Sequence, residues 1–262
     1  MNKFQLEEKT LAFLSASEEN KLSEGEVIYN APLFGFADAE DPLFEEFRKA
    51  HIVGDCFMPP HYWLPEVKSV ISFFLPFSDA VKRTNAVDKM EPSVEWLHGR
   101  WEGQMVLNSL SKYLVDELKA DGFEAVAPSI DSRFKVYRDH NGLPMTSSWS
   151  ERHVAFISGL GTFGLSKGLI TEKGMAGRFG SVVTNAPFEA LSRKYKEAYE
   201  YCTKCGACAR RCPAEAITIE NGKDQLVCQS YVEATKLKYK PMYGCGKCQV
   251  AVPCQSGIPK RK

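Results

Sequence analysis

The stretch "YCTKCGACARRCPAEAI", Tyr201 to Ile217, carries four cysteines within eleven residues, and everything around it has to be read against them. Cys202, Cys205 and Cys208 are each separated by two residues, Cys212 follows after three more, and Pro213 comes next. Three thiolates at that spacing grip one face of a [4Fe–4S] cube, while the fourth, ahead of proline, reaches a second cluster. Soft thiolates in a three-cysteine run favour iron–sulfur chemistry. A pair of zinc sites, which usually present two-cysteine knuckles, is the competing reading.

The same region supplies the ligands a second cluster needs. Eight of the nine cysteines lie after residue 200. Cys228, Cys245 and Cys248 can join Cys212 around one cluster, leaving Cys254 to complete the set of Cys202, Cys205 and Cys208. The count predicts two [4Fe–4S] clusters in a bacterial-ferredoxin-like module. Cys254 is the irregular member: in "CGKCQVAVPC" five residues precede it where a ferredoxin repeat has three, and its proline comes before rather than after.

Composition bounds what surrounds the module. With 262 residues, 44% of them apolar and 25% charged, the chain can bury one substantial core and carry a smaller unit. The charged segment "LSRKYKEAYEY" reads as a helix-like link, which sets a cofactor- or substrate-binding domain at 1–195 and the ferredoxin-like domain at 196–262. Thirty-three basic and thirty-three acidic residues cancel, so no global field draws the chain to nucleic acid or to an anionic membrane. Any polyanion site would be a local patch. The N-terminal "MNKFQLEEKTLAFLSASEEN" lacks the apolar region of a signal peptide, and no apolar run reaches the length of a membrane span. The expected location is the cytoplasm, with no membrane partner. In that reducing compartment the cysteines read as metal ligands rather than as disulfides.

The first domain reads as a mixed α/β (α+β) layer. "SVISFFLP", Ser69 to Pro76, is a continuous apolar run bounded by prolines, as expected for a strand buried on both faces. Leu107, Leu110, Leu114 and Leu118 recur at helical spacing and the pattern stops at Gly122. "FEAVAP" and "GRFGSVVTNAPF" read as further strands. Between Gly159 and Gly180 lie seven glycines in 22 residues, enough to let backbone approach a large ligand. The first six residues match G-x-G-x-x-G. A dinucleotide fingerprint must open a helix, however, and here a short helix in "SWSERHVAFIS", with Ser148 and Glu151 spaced as a capping box, comes before it. A purely structural turn is the plain alternative.

"LPEVKSVISFFLPF", "SERHVAFISGLGTFGLSKGLIT", "SVVTN", the ferredoxin run, "CQSY" at Cys228 to Tyr231 and "CGKCQ" together resemble the epoxyqueuosine reductase family, and more distantly the corrinoid reductive dehalogenases. The similarity runs in the same order from about residue 30 to the C-terminus. It implies a nitroreductase-like α/β core holding cobalamin, with one [4Fe–4S] cluster feeding it electrons and a second behind. Carried over, the resemblance implies that Gly159, Gly161 and Gly164, with Ser148 and Trp149 before them, bind the cofactor. It also implies that the eight module cysteines bind the clusters. An external low-potential electron donor is the implied partner.

Two departures separate this chain from the reductase of the tRNA base. That family carries an acidic proton donor six positions before the "ER" of its short helix, and "MTSSWSER" places Met145 there. The sequence also stops eight residues after Cys254, where longer members continue into helical repeats that help grip tRNA, and it shows no twin-arginine leader. The expected substrate is therefore a small molecule, and tRNA is not an expected partner. Tyr137, Asp139 and His140 in "KVYRDHNG" are the candidate catalytic proton donors, against the reading of a solvated turn. Arg152 and His153 either hold an anionic group of the cofactor or are polar residues of a helix's first turn. Cys56 is either a redox-active thiol or a small buried side chain. The functional expectation is an iron–sulfur oxidoreductase delivering low-potential electrons to a corrinoid or small substrate. Its alternative is a non-catalytic carrier serving a partner redox protein.

Overall fold

The computed structural model describes residues 1–22 and 25–260. Its centre is one four-stranded sheet in the order β1-β2-β8-β3, built from β1 (Leu33–Asp38), β2 (Ser69–Pro76), β3 (Ala125–Val126) and β8 (Gly177–Thr184). Every neighbouring pair is antiparallel, so the expected mixed layer is an α+β arrangement. All eight residues of β2 are buried, as the apolar run predicts. The alternation of side chains across a strand explains how. Ile71, Phe73 and Leu75 point into one core with Leu107, Leu110, Leu114 and Leu118, while Val70 and Phe74 point into a second core with Trp149, Val154 and Ile157.

The first core is closed by α1 (Lys3–Ala16) and the 27-residue α5 (Val94–Ala120), with α2 (Leu43–Glu46), α3 (Pro60–Trp63) and α4 (Asp79–Val87) between them in the chain, and it holds the predicted leucine stripe. Ser93 caps α5 by accepting from the Trp96 amide, and Gly122 follows its end with φ +83°, a backbone that glycine adopts freely. On the second face lies α6 (Glu151–Ile157), the short helix expected in "SWSERHVAFIS". Its predicted capping box does not form. Ser150 is the N-cap, Ser148 instead receives the Lys135 amide across a loop, and the Glu151 carboxylate accepts from Ser181. After α6 come the hairpin β6 (Gly161–Phe163) and β7 (Leu169–Thr171), so the glycine motif follows a helix and enters a strand, the reverse of a dinucleotide site.

The link "LSRKYKEAYEY" is not helical. Its backbone and side chains bond back to the core instead: the Leu191 amide to the Phe36 carbonyl, the Tyr195 hydroxyl to the Phe156 carbonyl, and the Phe163 amide to the Ala198 carbonyl. Those tertiary bonds outweigh a weak local helical preference. Beyond it, the cysteine module is built from α7 (Ala207–Arg210), the strands β9 (Ile217–Thr218) and β10 (Gly222–Lys223), and α8 (Gln225–Tyr239). It is stitched to the core by the Asn85 amide on the Cys245 carbonyl, Arg211 on the Ala86 carbonyl, and the Met175 amide on the Cys254 carbonyl. Among the described residues no helix is long and apolar enough to cross a membrane.

Candidate functional site

Two Cys-Gly-x-Cys turns organise the cysteines. Gly206 (φ +70°) and Gly246 (φ +69°) both take the left-handed conformation ahead of a short helical turn, which a Cβ would strain. None of the nine cysteines is joined in a disulfide. Their mutual electrostatics divide eight of them as the sequence count does. Cys254 feels Cys208, Cys202 and Cys205, whereas Cys245 feels Cys248, Cys228 and Cys212. The first four, Cys254 among them, also line one small pocket with Gly164, Met175 and Val252. Cys208 and Cys248 are coupled across the boundary, which sets the two quartets side by side.

Burial pushes the Cys208 thiol up to about 11 and those of Cys245 and Cys254 to about 12, with neighbouring thiols adding in the same direction. Thiolates crowded in this way need compensating positive charge, which iron supplies when it binds them deprotonated. The Ala216 amide already donates to the Cys212 sulfur at 3.3 Å. Among the described residues no three His, Cys, Asp or Glu groups converge as ligands of a single ion.

A cavity of about 580 Å³ opens between the second core and the module, within the size range of small-molecule sites. Its apolar walls include Phe47, Phe134, Phe156, Phe163 and Tyr199. Among the described residues its charged lining is Arg152 and Lys167, with no carboxylate. Arg152 donates to the Lys167 carbonyl at 2.9 Å and lies within electrostatic reach of Cys248, which ties the cavity wall to the second quartet. Beside it, the His153 ring sits between Phe47 and Phe163, with centroids 4.9 and 4.8 Å away, and Nδ1 pairs with the Ser150 hydroxyl at 2.7 Å. Burial, then the Arg152 charge, hold its pKa to about 3, so the imidazole is neutral. Behind this wall burial pushes the Glu151 carboxyl up to about 7, against the opposing hydrogen bond from Ser181.

The sequence candidates fall in different places. Arg152, His153 and Met145 line the cavity. Ser148 and Trp149 are fully buried: the Trp149 indole donates to Ser181 and stacks on Phe57, so both are core residues rather than cofactor contacts. None of the three glycines is on the cavity wall. At Gly161 a Cβ would fall 1.9 Å from the Ile170 carbonyl oxygen, at Gly159 it would meet Leu191, and Gly164 faces Ile170 and the Cys202 sulfur. The close approach they permit is by the chain's own backbone and the cysteine pocket. Tyr137, Asp139 and His140 sit on the hairpin of β4 (Val136–His140) and β5 (Leu143–Ser147), outside the cavity lining. His140 pairs there with Asp55 at 2.8 Å, and Asp139 takes a turn conformation with φ +51°. Cys56 is buried with its sulfur 3.7 Å from Thr146, the small buried side chain of its plainer reading. His51, Phe134, Lys167 and Tyr199 had no sequence signal, because they come from four separate segments that only the fold assembles.

A 4Fe–4S binding domain model matches residues 197–218. The curated epoxyqueuosine reductase of Staphylococcus aureus is 25% identical over 209 residues, which is 76% of this chain and 51% of that protein. The chain thus spans about half the length of the curated relative it matches. A crystal structure of epoxyqueuosine reductase with a tRNA-Tyr epoxyqueuosine-modified stem loop aligns over 99% of this chain and 68% of its own, with 19% identity and a TM-score of 0.55. A reductive dehalogenase whose structure is described for B12-dependent dehalogenation aligns over 87% of this chain and 30% of its own, with 14% identity and a TM-score of 0.56. The chain has an epoxyqueuosine reductase-like fold with a 4Fe–4S binding domain, structurally similar to reductive dehalogenases.

Proposed function

We propose that the protein is an iron–sulfur reductase that passes single electrons through two [4Fe–4S] clusters to a corrinoid or small substrate in the cavity. The observation that carries this reading is that Gln225, one turn before Cys228 on α8, forms part of the same cavity wall as Arg152, so the cavity adjoins the cysteine module. Electrons entering at the exposed Cys205 and its partners Cys202, Cys208 and Cys254 would pass on through Cys212, Cys228, Cys245 and Cys248. Thiolate-ligated cubes supply the low potential such a reduction needs, and a corrinoid, when bound, would supply a low-valent centre for two-electron chemistry.

The chain's own residues do the positioning. Arg152 and Lys167 hold an anionic group, a phosphate of a nucleotide tail or a carboxylate of a substrate, and the aromatic walls take a flat apolar body. Neutral His153, locked by Ser150, keeps a second positive charge away from Arg152. Met145 supports a substrate other than epoxyqueuosine in tRNA, because a thioether on the cavity wall has no proton to give.

The test is anaerobic preparation with iron, sulfide and cofactor analysis, followed by titration with cobalamin and with small aromatic carboxylates. Binding in the cavity, weakened about tenfold or more by Arg152→Ala, is the expected result. Protein with both clusters intact that takes up no organic ligand would favour the electron-carrier reading instead.

A further inference from the structure

The zero net charge conceals a strong division. Residues 201–262 contain 11 Lys and Arg against 4 Asp and Glu, a net +7, so residues 1–200 carry a net −7. Two bound clusters would each bring negative charge to the module, and the basic excess is large enough to outlast it. The excess reaches the surface at one chemically meaningful point.

Cys205 is the exposed cysteine of the nine. Lys204 precedes it with its side chain in solvent, and exposed Arg210 donates to the Cys205 carbonyl at 3.1 Å. Pro259 lines the same cysteine pocket, which brings exposed Lys260 to its rim. Two large apolar side chains stand open beside these charges: Ile219, whose Cδ1 lies against Gly206, and Ile258. Acidic neighbours are few or occupied. Glu220 follows Ile219, Glu172 pairs with Lys194 at 2.9 Å, and Glu200 accepts the Lys196 and Glu197 amides.

We propose that Lys204, Arg210 and Lys260, with Ile219 and Ile258, form the docking face for an acidic one-electron carrier protein of the ferredoxin class. The proposal rests on the two-cluster reading above. Charge complementarity identifies the occupant, and a small apolar centre ringed by cations is the form of a transient, electrostatically steered interface. Position identifies the task, since the face surrounds Cys205, the exposed cysteine of the nine. One electron leaves the reduced carrier, which is oxidised by one, and enters the cluster of Cys202, Cys205, Cys208 and Cys254, which is reduced by one. No bond is made and no proton moves. An RNA would also be drawn to positive charge, but a substrate base must reach the cavity, whose lining includes none of Lys204, Arg210 and Lys260.

The experiment uses the holoprotein and reduced plant-type [2Fe–2S] ferredoxin, following bleaching of the clusters in a stopped-flow instrument across ionic strength. Lys204→Glu with Lys260→Glu should lower the second-order rate by at least about tenfold at low salt, with the difference closing as salt screens it. Lys204→Gln with Lys260→Gln should lie between. Iron and sulfide content, and reduction by the small cation methyl viologen radical, should match the unaltered protein. Normal viologen reduction with an unchanged ferredoxin rate and salt slope overturns the docking face alone. Loss of RNA-hairpin binding in the variants with ferredoxin reduction intact assigns the face to RNA and also overturns it. Absence of any viologen-reducible cluster overturns the two-cluster reading and the docking face with it.

Discussion

Trp96 of the long helix lies directly against Gly246 in the second Cys-Gly-x-Cys turn: a Cβ at Gly246 would fall 1.9 Å from Trp96 Cζ2. The core thus dictates the backbone of a cysteine-bearing turn. Gly246→Ala meets both this overlap and a φ of +69°, and is expected to cost about 1–3 kcal/mol from overpacking and roughly 1 kcal/mol from backbone strain. Thermal unfolding should fall accordingly, with iron lost from the second quartet. Gly122→Ala, at φ +83° with nothing within 4 Å, should incur the backbone cost alone.

Cys212 should serve the cluster that its sequence neighbours do not. Unaltered anaerobic protein is expected to hold about eight iron and eight sulfide per chain, and Cys212→Ala should retain about half. The surviving electron-paramagnetic signal should belong to the quartet of Cys202, Cys205, Cys208 and Cys254. Zinc without acid-labile sulfide would show the metal assignment to be wrong.

Glu151 and His153 should oppose one another in pH-dependent stability. The Glu151 pKa is raised from 4.5 to about 7, so its contribution is full below the unfolded value and is lost as pH rises toward 7. The His153 pKa is lowered from 6.5 to about 3, so the unfolded state takes up its proton first and stability falls as pH drops below 6.5. Between about 4.5 and 6.5 the slopes cancel, each being at most about 1.4 kcal/mol per pH unit. Glu151→Gln should expose a stability that rises with pH in this window, and His153→Phe one that falls. Denaturant midpoints at several pH values, with matched iron content, decide between this and two parallel profiles.

Met145 should mark the limit of the family resemblance. With reduced donor, cobalamin and tRNA bearing epoxyqueuosine, the unaltered protein is expected to form little queuosine, since the lost general acid is worth typically 10²–10⁴-fold. Activity appearing only in Met145→Asp would support the placement of that residue on the cavity wall. Robust turnover without the substitution would defeat it.

Where a signal is local, the sequence carried it to the right conclusion. The apolar run of Ser69 to Pro76 is the doubly buried β2, the leucine stripe lies inside α5, and the cysteine run from Cys202 to Cys212 falls within the matched 4Fe–4S binding domain. The glycine motif misled because glycine reports close approach without saying what approaches. At Gly161 it is the Ile170 carbonyl. Ser148 and Glu151 have capping-box spacing, yet each found a stronger partner, the Lys135 amide and the Ser181 hydroxyl, across the fold.

By itself the sequence determined the thiolate inventory and the ferredoxin spacing of Cys202 to Cys212, since spacing within eleven residues is a short-range property of the chain. It also determined that net charge would be zero, and contained the +7 and −7 halves that give zero its meaning. Tertiary structure alone decided which polar groups share a cavity. Arg152 and Lys167 are fifteen residues apart, His51 and Tyr199 almost one hundred and fifty, and the antiparallel sheet with its module brings all four to one wall. The physical reason is that burial and charge act through distance in space, and distance in space is set by packing of both faces of β2 rather than by position along the chain.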